Sequence, residues 1–483
     1  MNSRLSACDG REYMIKYCIK CWNLLVLCQS LFPSVTLLLA VFSAGIGGTF
    51  QYGYNVSIIN APTMHIQQFI NETWKIRYND NLDRGLLRFL WSAIVSTFTL
   101  GGFLGAWLGG HLAIRFGRKG TLLLTNIPIL AGSILMGTSS SAGMFELLFV
   151  GRFLVGLHSG VCLCVQPMYL GEIAPKAVRG AASMGTSVFI TAGILIGQIM
   201  GQRELLGGER YWSVLLSSSC IPAVLQLLLL PWFPESPRYL FIDKGEETRA
   251  THALKKFHDA NSYLSELMGL EKESAVLQAQ QSKQPCELLL DRSTRWQLIT
   301  VVLMNMALQL SGINASLLIE RLGRRMLILG GYSLMALCCA AVTITLTYQA
   351  SYFWMPYMTM TWLFAFILSF GLGPGGVTNT VTGELFTQCT RPAAFMISSS
   401  VNWISFFFIS IMFPVIVEGL QQFCFLIFLA ECLLGTLFIY IILPETKNKS
   451  FLEIEMEFRA RNFKNKGRDV PSRAMVLSRF PES

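Results

Sequence analysis

From residue 35 to residue 443 the sequence keeps returning to apolar runs of about 20 residues, the length that carries a helix across the hydrocarbon core of a bilayer. In lipid no water is present to satisfy stray backbone groups, so repeated runs of this length restrict the chain to a bundle of membrane-spanning helices. Eleven spans are expected: Val35–Ala61, Leu86–Ile114, Thr121–Ser141, Met144–Gly171, Ala181–Gly201, Tyr211–Phe233, Trp296–Ile319, Met326–Tyr348, Tyr352–Val381, Ala393–Val417 and Phe423–Leu443. Charged residues make up only 14% of the 483 positions, against about 25% in a soluble domain. Cys21–Phe32 is also apolar, but without a small-x-small cleavage site it reads as an approach to the membrane rather than a signal peptide.

The net charge of +9 does not point to nucleic acid, because the basic residues lie in short loops beside the spans. Arg115, Arg118 and Lys119 follow the second span, and Lys176 and Arg179 follow the fourth. The polar stretch Asp243–Arg295 follows the sixth, and all three loops are expected on the cytoplasmic side. Asn71-Glu72-Thr73 then falls outside, as an N-glycosylation acceptor. Asn55-Val56-Ser57 and Asn314-Ala315-Ser316 sit inside spans and Asn448-Lys449-Ser450 in the tail, so those matches are accidental. Glu246–Gln284 has the amphipathic period of short helices. Most of the 13 cysteines lie in apolar runs, where thiols act as small hydrophobes. The lone pair Cys18 and Cys21 has no second pair or nearby histidine to make a zinc site.

The two ends of the bundle repeat one another. "GEIAPKAVRGAA" (Gly171–Ala182) echoes "GELFTQCTRPAA" (Gly383–Ala394), with seven positions from Glu172 to Arg179 and from Glu384 to Arg391. "GRK" (Gly117–Lys119) pairs with "GRR" (Gly323–Arg325), and "PES" (Pro234–Ser236) with "PET" (Pro444–Thr446). Two parallel halves with a substrate site between them are a building plan of secondary transporters. The expected division is an amino-terminal half (1–240), a cytoplasmic helical linker (241–295), a carboxyl-terminal half (296–443) and a cytoplasmic tail (444–483).

The intervals are unequal in one place. Gly171 to Pro234 is 63 positions and Gly383 to Pro444 is 61, but two spans precede GRK while only Trp296–Ile319, 24 residues, precedes GRR. About one helix is absent from the second half. Its flanks, Asp243–Arg295 and Glu320–Arg325, both carry cytoplasmic signals that a single crossing cannot satisfy. Three outcomes are open: the last four spans invert, the segment fails to cross, or the product misassembles.

"GYNVSIINAP" (Gly53–Pro62), "GRK", "PMYLGEIAPKAVRG" (Pro167–Gly180), "PESPR" (Pro234–Arg238), "QLSGINA" (Gln309–Ala315), "ERLGRR" (Glu320–Arg325) and "LPETKNKSF" (Leu443–Phe451) together resemble the facilitative hexose transporters of the major facilitator superfamily. "HIQQFINETW" (His65–Trp74) and "GLGPGGVTNTVTGELF" (Gly371–Phe386) are similar to its fructose-handling subclass. The resemblance implies an all-α fold of two six-helix halves, passive movement of fructose or glucose by alternating access, and a multi-pass plasma-membrane protein with its amino terminus inside. Measured against that pattern, this chain jumps after Ala315 from the middle of span seven to near the end of span eight, as a skipped exon would produce.

A hexose is neutral and covered in hydroxyls, so its site needs amides and hydroxyls beside an aromatic face. The resemblance implies sugar contacts at Gln309, Asn314, Asn402 and Trp403, with Gln198, Asn379, Ser187 and Asn55 as further candidates. Interhelical hydrogen bonding is the alternative for each. Leu308, Ser187, Asn379 and Gly371 depart from the glucose-selective pattern, the last two in the direction of the fructose-handling subclass. It also implies a cytoplasmic ion-pair latch of Glu172, Arg179, Glu384, Arg391, Glu320, Arg324 and Arg325. Proton-coupled relatives carry an Asp where this chain has Asn55, which cannot titrate, so uniport is expected over symport. The gap raises a further reading, an isoform that does not transport or that regulates an intact copy. No nucleophile–base group, metal set or phosphate loop suggests an enzyme, metal or cofactor.

Overall fold

The computed structural model describes residues 34–444 except 81, 176–177, 259–261, 278–286, 289–293, 311–323, 350–351, 353 and 371–373. The amino-terminal half holds α1 (Val35–Ile58), the outer helix α2 (Thr63–Tyr78), α3 (Arg84–Phe116), α4 (Arg118–Ala142), α5 (Glu146–Ile173), α6 (Arg179–Met200) and α7 (Trp212–Trp232). Two short helices follow, α8 (Glu247–Phe257) and α9 (Ser262–Leu277), in the stretch whose period called for them. The carboxyl-terminal half holds α10 (Arg295–Leu310), α11 (Arg324–Thr347), α12 (Met355–Phe370), α13 (Gly376–Leu385), α14 (Arg391–Leu420) and α15 (Cys424–Ile442).

Every repeat marker falls at a helix end, in the same register in both halves. Arg118 opens α4 and Arg324 opens α11. Glu172 closes α5 and Glu384 closes α13, while Arg179 and Arg391 each begin the next helix. The GRK corner turns on Gly117, whose φ of 83° an L side chain rarely adopts.

Small residues let the helices approach closely, as packing in lipid requires. A Cβ on Gly105 of α3 would land on the Leu157 carbonyl of α5, and one on Gly160 of α5 on the Gly102 carbonyl of α3. Polar side chains then bridge the helices of this half. The Gln226 amide of α7 donates to the Ala44 carbonyl at 3.1 Å and accepts from Asn126 Nδ2 at 2.8 Å. The first span is broken at Gly48, with φ −102° and ψ −104°. The Thr49 N–H freed by the break donates to Gln166 Oε1 at 2.7 Å, and Gln166 Nε2 donates to Thr49 Oγ1 at 3.0 Å. A break in lipid is tolerated where a neighbour re-satisfies the backbone, which is the role of Gln166.

One core in the second half draws on α10 to α15 through Leu298, Ile328, Phe370, Val381, Ala394 and Cys432. The seam between the halves is built chiefly by α14. Its Trp403 joins the amino-terminal core around Tyr52 and Phe98, and its Phe395 and Met396 join the core around Val165 and Met168.

Among the described residues nine helices are long and apolar enough to cross a membrane. The expected span Tyr352–Val381 is covered by α12 and α13, and residues 371–373 between them lie outside the described residues. In the seventh expected span, Arg295–Leu310 is described and 311–319 lies outside the described residues. The start of α11 lies at the same end of the bundle as the seam latch, since Arg324 pairs with Glu384.

Candidate functional site

At the end of the bundle that carries the repeated motifs, Glu172 is the centre of a buried network; its side chain is 1% exposed. Arg118 Nε lies 3.0 Å from Glu172 Oε2, and Ser236 Oγ donates to the same oxygen. From the other half, Gln388 Nε2 donates to Glu172 Oε1 at 3.3 Å and Arg391 Nη1 stands 3.8 Å from it. Arg391 Nη1 also donates to Gln388 Oε1 at 2.7 Å. Arg118 itself is fully buried, reaching Asp243 Oδ2 at 2.9 Å with its guanidinium 4.7 Å from the Tyr239 ring. Burying charge this deeply is costly unless each group is paired, and here each has several partners.

The linker helices brace the latch from below. Arg179 reaches Glu266 of α9 at 3.8 Å, and Arg238 reaches Glu273 at 2.5 Å. Burial pulls the Glu273 carboxyl up, but Arg238, Arg391 and Arg179 outweigh it and hold it below the ordinary carboxylate value. At Asp243 burial wins, and the carboxyl titrates above its ordinary value despite Arg118. Glu235 plays a separate part. Its oxygens accept from the N–H groups of Arg118, Lys119 and Gly120 at 3.0, 2.9 and 3.2 Å, capping the corner before α4.

Of the latch expected from the family pattern, Glu172 and Arg391 meet across the seam, while Arg324 and Glu384 pair at 2.9 Å within the second half. Arg325 donates to the Tyr440 carbonyl at 2.6 Å and lies over that ring, tying α11 to α15. Glu320 lies outside the described residues. Gln388, Asp243 and Ser236 escaped sequence reading, because a polar residue in a polar loop carries no periodic signal.

Above the latch the space between the halves narrows to about 20 Å³, roughly the room of one water. Asn379, Thr380, Ser183 and Phe395 are among its lining residues. Trp403 lies 12 residues from Arg391 along α14, about 18 Å at 1.5 Å per residue and so near the middle of the bilayer. It packs edge-on against Tyr52 at 5.5 Å and Phe98 at 5.4 Å, both from the opposite half. Its indole is 2% exposed, and its Nε1–H has no acceptor among the described residues. Ser187 Oγ donates across the seam to the Gly375 carbonyl at 3.0 Å. Asn402 is half-buried beside Trp403, and Gln198 is exposed on α6.

Asn55, also expected as a sugar contact, has its amide engaged by protein groups. It is fully buried within the amino-terminal half, donating to the Gln51 carbonyl at 2.9 Å and accepting from Ser219 Oγ at 2.8 Å. Arg152 Nη1 donates to its backbone carbonyl at 3.0 Å. It is a strut between α1, α5 and α7. Gln309 ends α10, with its side chain outside the described residues, as is Asn314. Asn71 is exposed on α2.

Two halves of spanning helices, a latch at one end and an aromatic wall at mid-depth form the two-half plan on which one class of membrane transporters is built. The family profile described as "Sugar (and other) transporter" matches residues 40–319 and again 315–458, so the chain belongs to that family. The human solute carrier family 2, facilitated glucose transporter member 11 is 42% identical, over 92% of this chain and 97% of its own length. Human members 9 and 5 are each 40% identical over 89% of this chain. Among solved structures, the proton:xylose symporter XylE bound to 6-bromo-6-deoxy-D-glucose matches with a TM-score of 0.74 at 20% identity, covering 87% of this chain and 99% of that one. These bear out the family resemblance and the two-half fold. The chain is a multi-pass membrane protein of a transporter family, not an enzyme.

Proposed function

We propose that this chain is built as a hexose facilitator, moving fructose or glucose down its gradient by rocking its halves about the Trp403 layer. The observation that carries the reading is the buried Trp403 Nε1–H without an acceptor, set in an aromatic wall shared by both halves. An apolar ring face beside an unsatisfied donor is the chemistry a hexose requires. Asn402, Asn379 and Ser187 are the further amides and hydroxyl near the seam, and the family resemblance adds Gln198, Gln309 and Asn314. The latch of Glu172, Gln388 and Arg391 closes the cytoplasmic end. Uniport is favoured because Asn55 is neutral and its amide is engaged by Gln51 and Ser219. The plasma membrane, a cytoplasmic amino terminus and a glycan on Asn71 complete the proposal, together with the division into halves at 1–240 and 296–443 around a linker.

A second reading is favoured by the gap, and it concerns this chain at its present length. The family profile is satisfied in two pieces meeting at 315–319. In the match to member 11, 483 aligned positions take in 92% of 483 residues, about 444, leaving about 39 positions without a counterpart here. Two spans need about 40 residues, but Arg295 to Arg324 inclusive is only 30, with Arg324 at the latch end. We infer that this form is transport-deficient. The test is uptake of labelled fructose and glucose into proteoliposomes by this chain and by a version with a family-like segment inserted between Ala315 and Ser316. Uptake by the insertion alone supports both readings; saturable uptake by the present chain removes the second, and none by either removes the first.

A further inference from the structure

Two ammonium groups converge at the cytoplasmic end of α7. Lys119 Nζ, from the start of α4, donates to the Pro231 carbonyl at 2.9 Å, and Lys256 Nζ, from α8, donates to the neighbouring Trp232 carbonyl at 2.8 Å. The two are close enough to repel one another. Among the described residues no carboxylate side chain hydrogen-bonds either amine; Glu235, whose oxygens accept backbone N–H groups of the GRK corner, faces Lys119 and attracts it, leaving Lys256 without such a neighbour on the same corner. Beside them Trp232 stands 77% exposed, at the level where indoles sit in the membrane–water boundary.

The cations continue into a recess. A pocket of about 470 Å³ opens between the PES turn and α8, lined by Pro234, Glu235, Leu240, Thr248, Arg249 and His252. Thr248, His252 and Lys256 recur every fourth residue and so share one face of α8. Lys256 lies one turn beyond His252 on that face, outside the recess lining itself.

We propose that this recess is a binding site for the headgroup of an anionic phospholipid of the cytoplasmic leaflet. The phosphate sits between Lys119 and Lys256, relieving their repulsion; the headgroup extends toward Arg249, His252 and Thr248; and the glycerol and upper acyl chains lie along Trp232. A lipid is the source the geometry favours over a free phosphate compound, because basic pockets between helices at the cytoplasmic boundary take headgroups and Trp232 offers them an apolar shelf. Since α8 leads into α9, whose Glu266 and Glu273 hold Arg179 and Arg238, the lipid would pin the brace beneath the latch.

The experiment counts lipids retained on the full chain by native mass spectrometry after extraction from nanodiscs of phosphatidylcholine with either phosphatidylserine or phosphatidylinositol bisphosphate. Lys256→Gln, on an exposed helix where folding is least at risk, is compared with Lys255→Gln on the same helix and with Trp232→Ala. Retention of anionic lipid is expected to fall about fivefold in Lys256→Gln, from the loss of one lysine at the surface. It should fall in Trp232→Ala and hold in Lys255→Gln. Equal losses in Lys256→Gln and Lys255→Gln, or no loss in either, overturn the site. Competition by inorganic phosphate or inositol hexakisphosphate alone, with Trp232→Ala unchanged, overturns the lipid assignment in favour of a soluble phosphate compound.

Discussion

Glu172 and Arg391 face each other across the seam between the halves, 3.8 Å apart, with Gln388 hydrogen-bonded to both. Glu172 is also held by Arg118 and Ser236 inside its own half, so it anchors the latch while Arg391 and Gln388 arrive from the other side. A surface pair at this distance would count for little. Buried and bridged by an amide, it can bias a two-state rocking equilibrium that a few kcal/mol decides.

Arg391→Gln is therefore expected to open the cytoplasmic end while leaving the Arg118–Glu172 pair intact. Distances between spin labels at Arg115 and Met326, both exposed, should gain a longer component. The expected shift is about tenfold in population, equivalent to about 1.4 kcal/mol. Glu172→Gln should open the seam and also lower the melting temperature, because it strips Arg118 of a buried partner. A distance distribution unchanged in both variants removes the latch assignment.

Gly102 faces the Trp403 ring so closely that a Cβ there would overlap it. Gly102→Val should displace the indole and destabilise the seam by about 1–3 kcal/mol, the usual effect of overpacking. Thermal melts followed by tryptophan fluorescence report both the stability and the moved ring. A melt within error of the parent would mean that the seam is looser than described.

Trp403→Phe keeps an aromatic ring but deletes the donor that lacks an acceptor. An unsatisfied buried N–H costs about 1–3 kcal/mol, so stability is expected to hold or rise. Hexose binding, read as the melting-temperature increment on adding fructose or glucose to the version with the inserted segment, should fall. If the increment survives, the indole N–H is not a sugar donor.

Acid should release α9. The Glu273 carboxyl is held below its ordinary value in the folded protein, so its contribution to stability is present above that ordinary value, about 4.3, and is lost as pH falls through the lower, folded value. Asp243 is raised and works in the opposite sense, favouring the folded form as it protonates. Glu273→Gln should thus make α9 sensitive to proteolysis at neutral pH and remove most of the acid dependence. Identical cleavage of variant and parent at neutral pH would detach Glu273 from the brace.

The spans, their order and the two-half plan were legible because lipid imposes one crude rule, sustained hydrophobicity, that no side-chain detail overrides. The repeat markers were equally legible, since Glu172, Arg179, Glu384 and Arg391 mark helix ends in both halves. The break at Gly48 was not, because its cause lies 117 positions away in the Gln166 amide. The partners of Asn55 were hidden for a related reason: a polar residue inside a span shows that a partner exists, but not that it is Ser219. The charge of Arg325 was plain, yet only the packing of α11 on α15 decides which way it turns.

Four polar bridges of the first half are internal to it: Thr49 with Gln166, Asn55 with Ser219, Asn126 with Gln226, and Arg118 with Glu172. None draws on a residue beyond the sixth span. A ribosome making this chain would thus hand the membrane a sound six-helix unit before the shortened segment is translated, and cellular quality control would meet the defect only when the second half tries to dock.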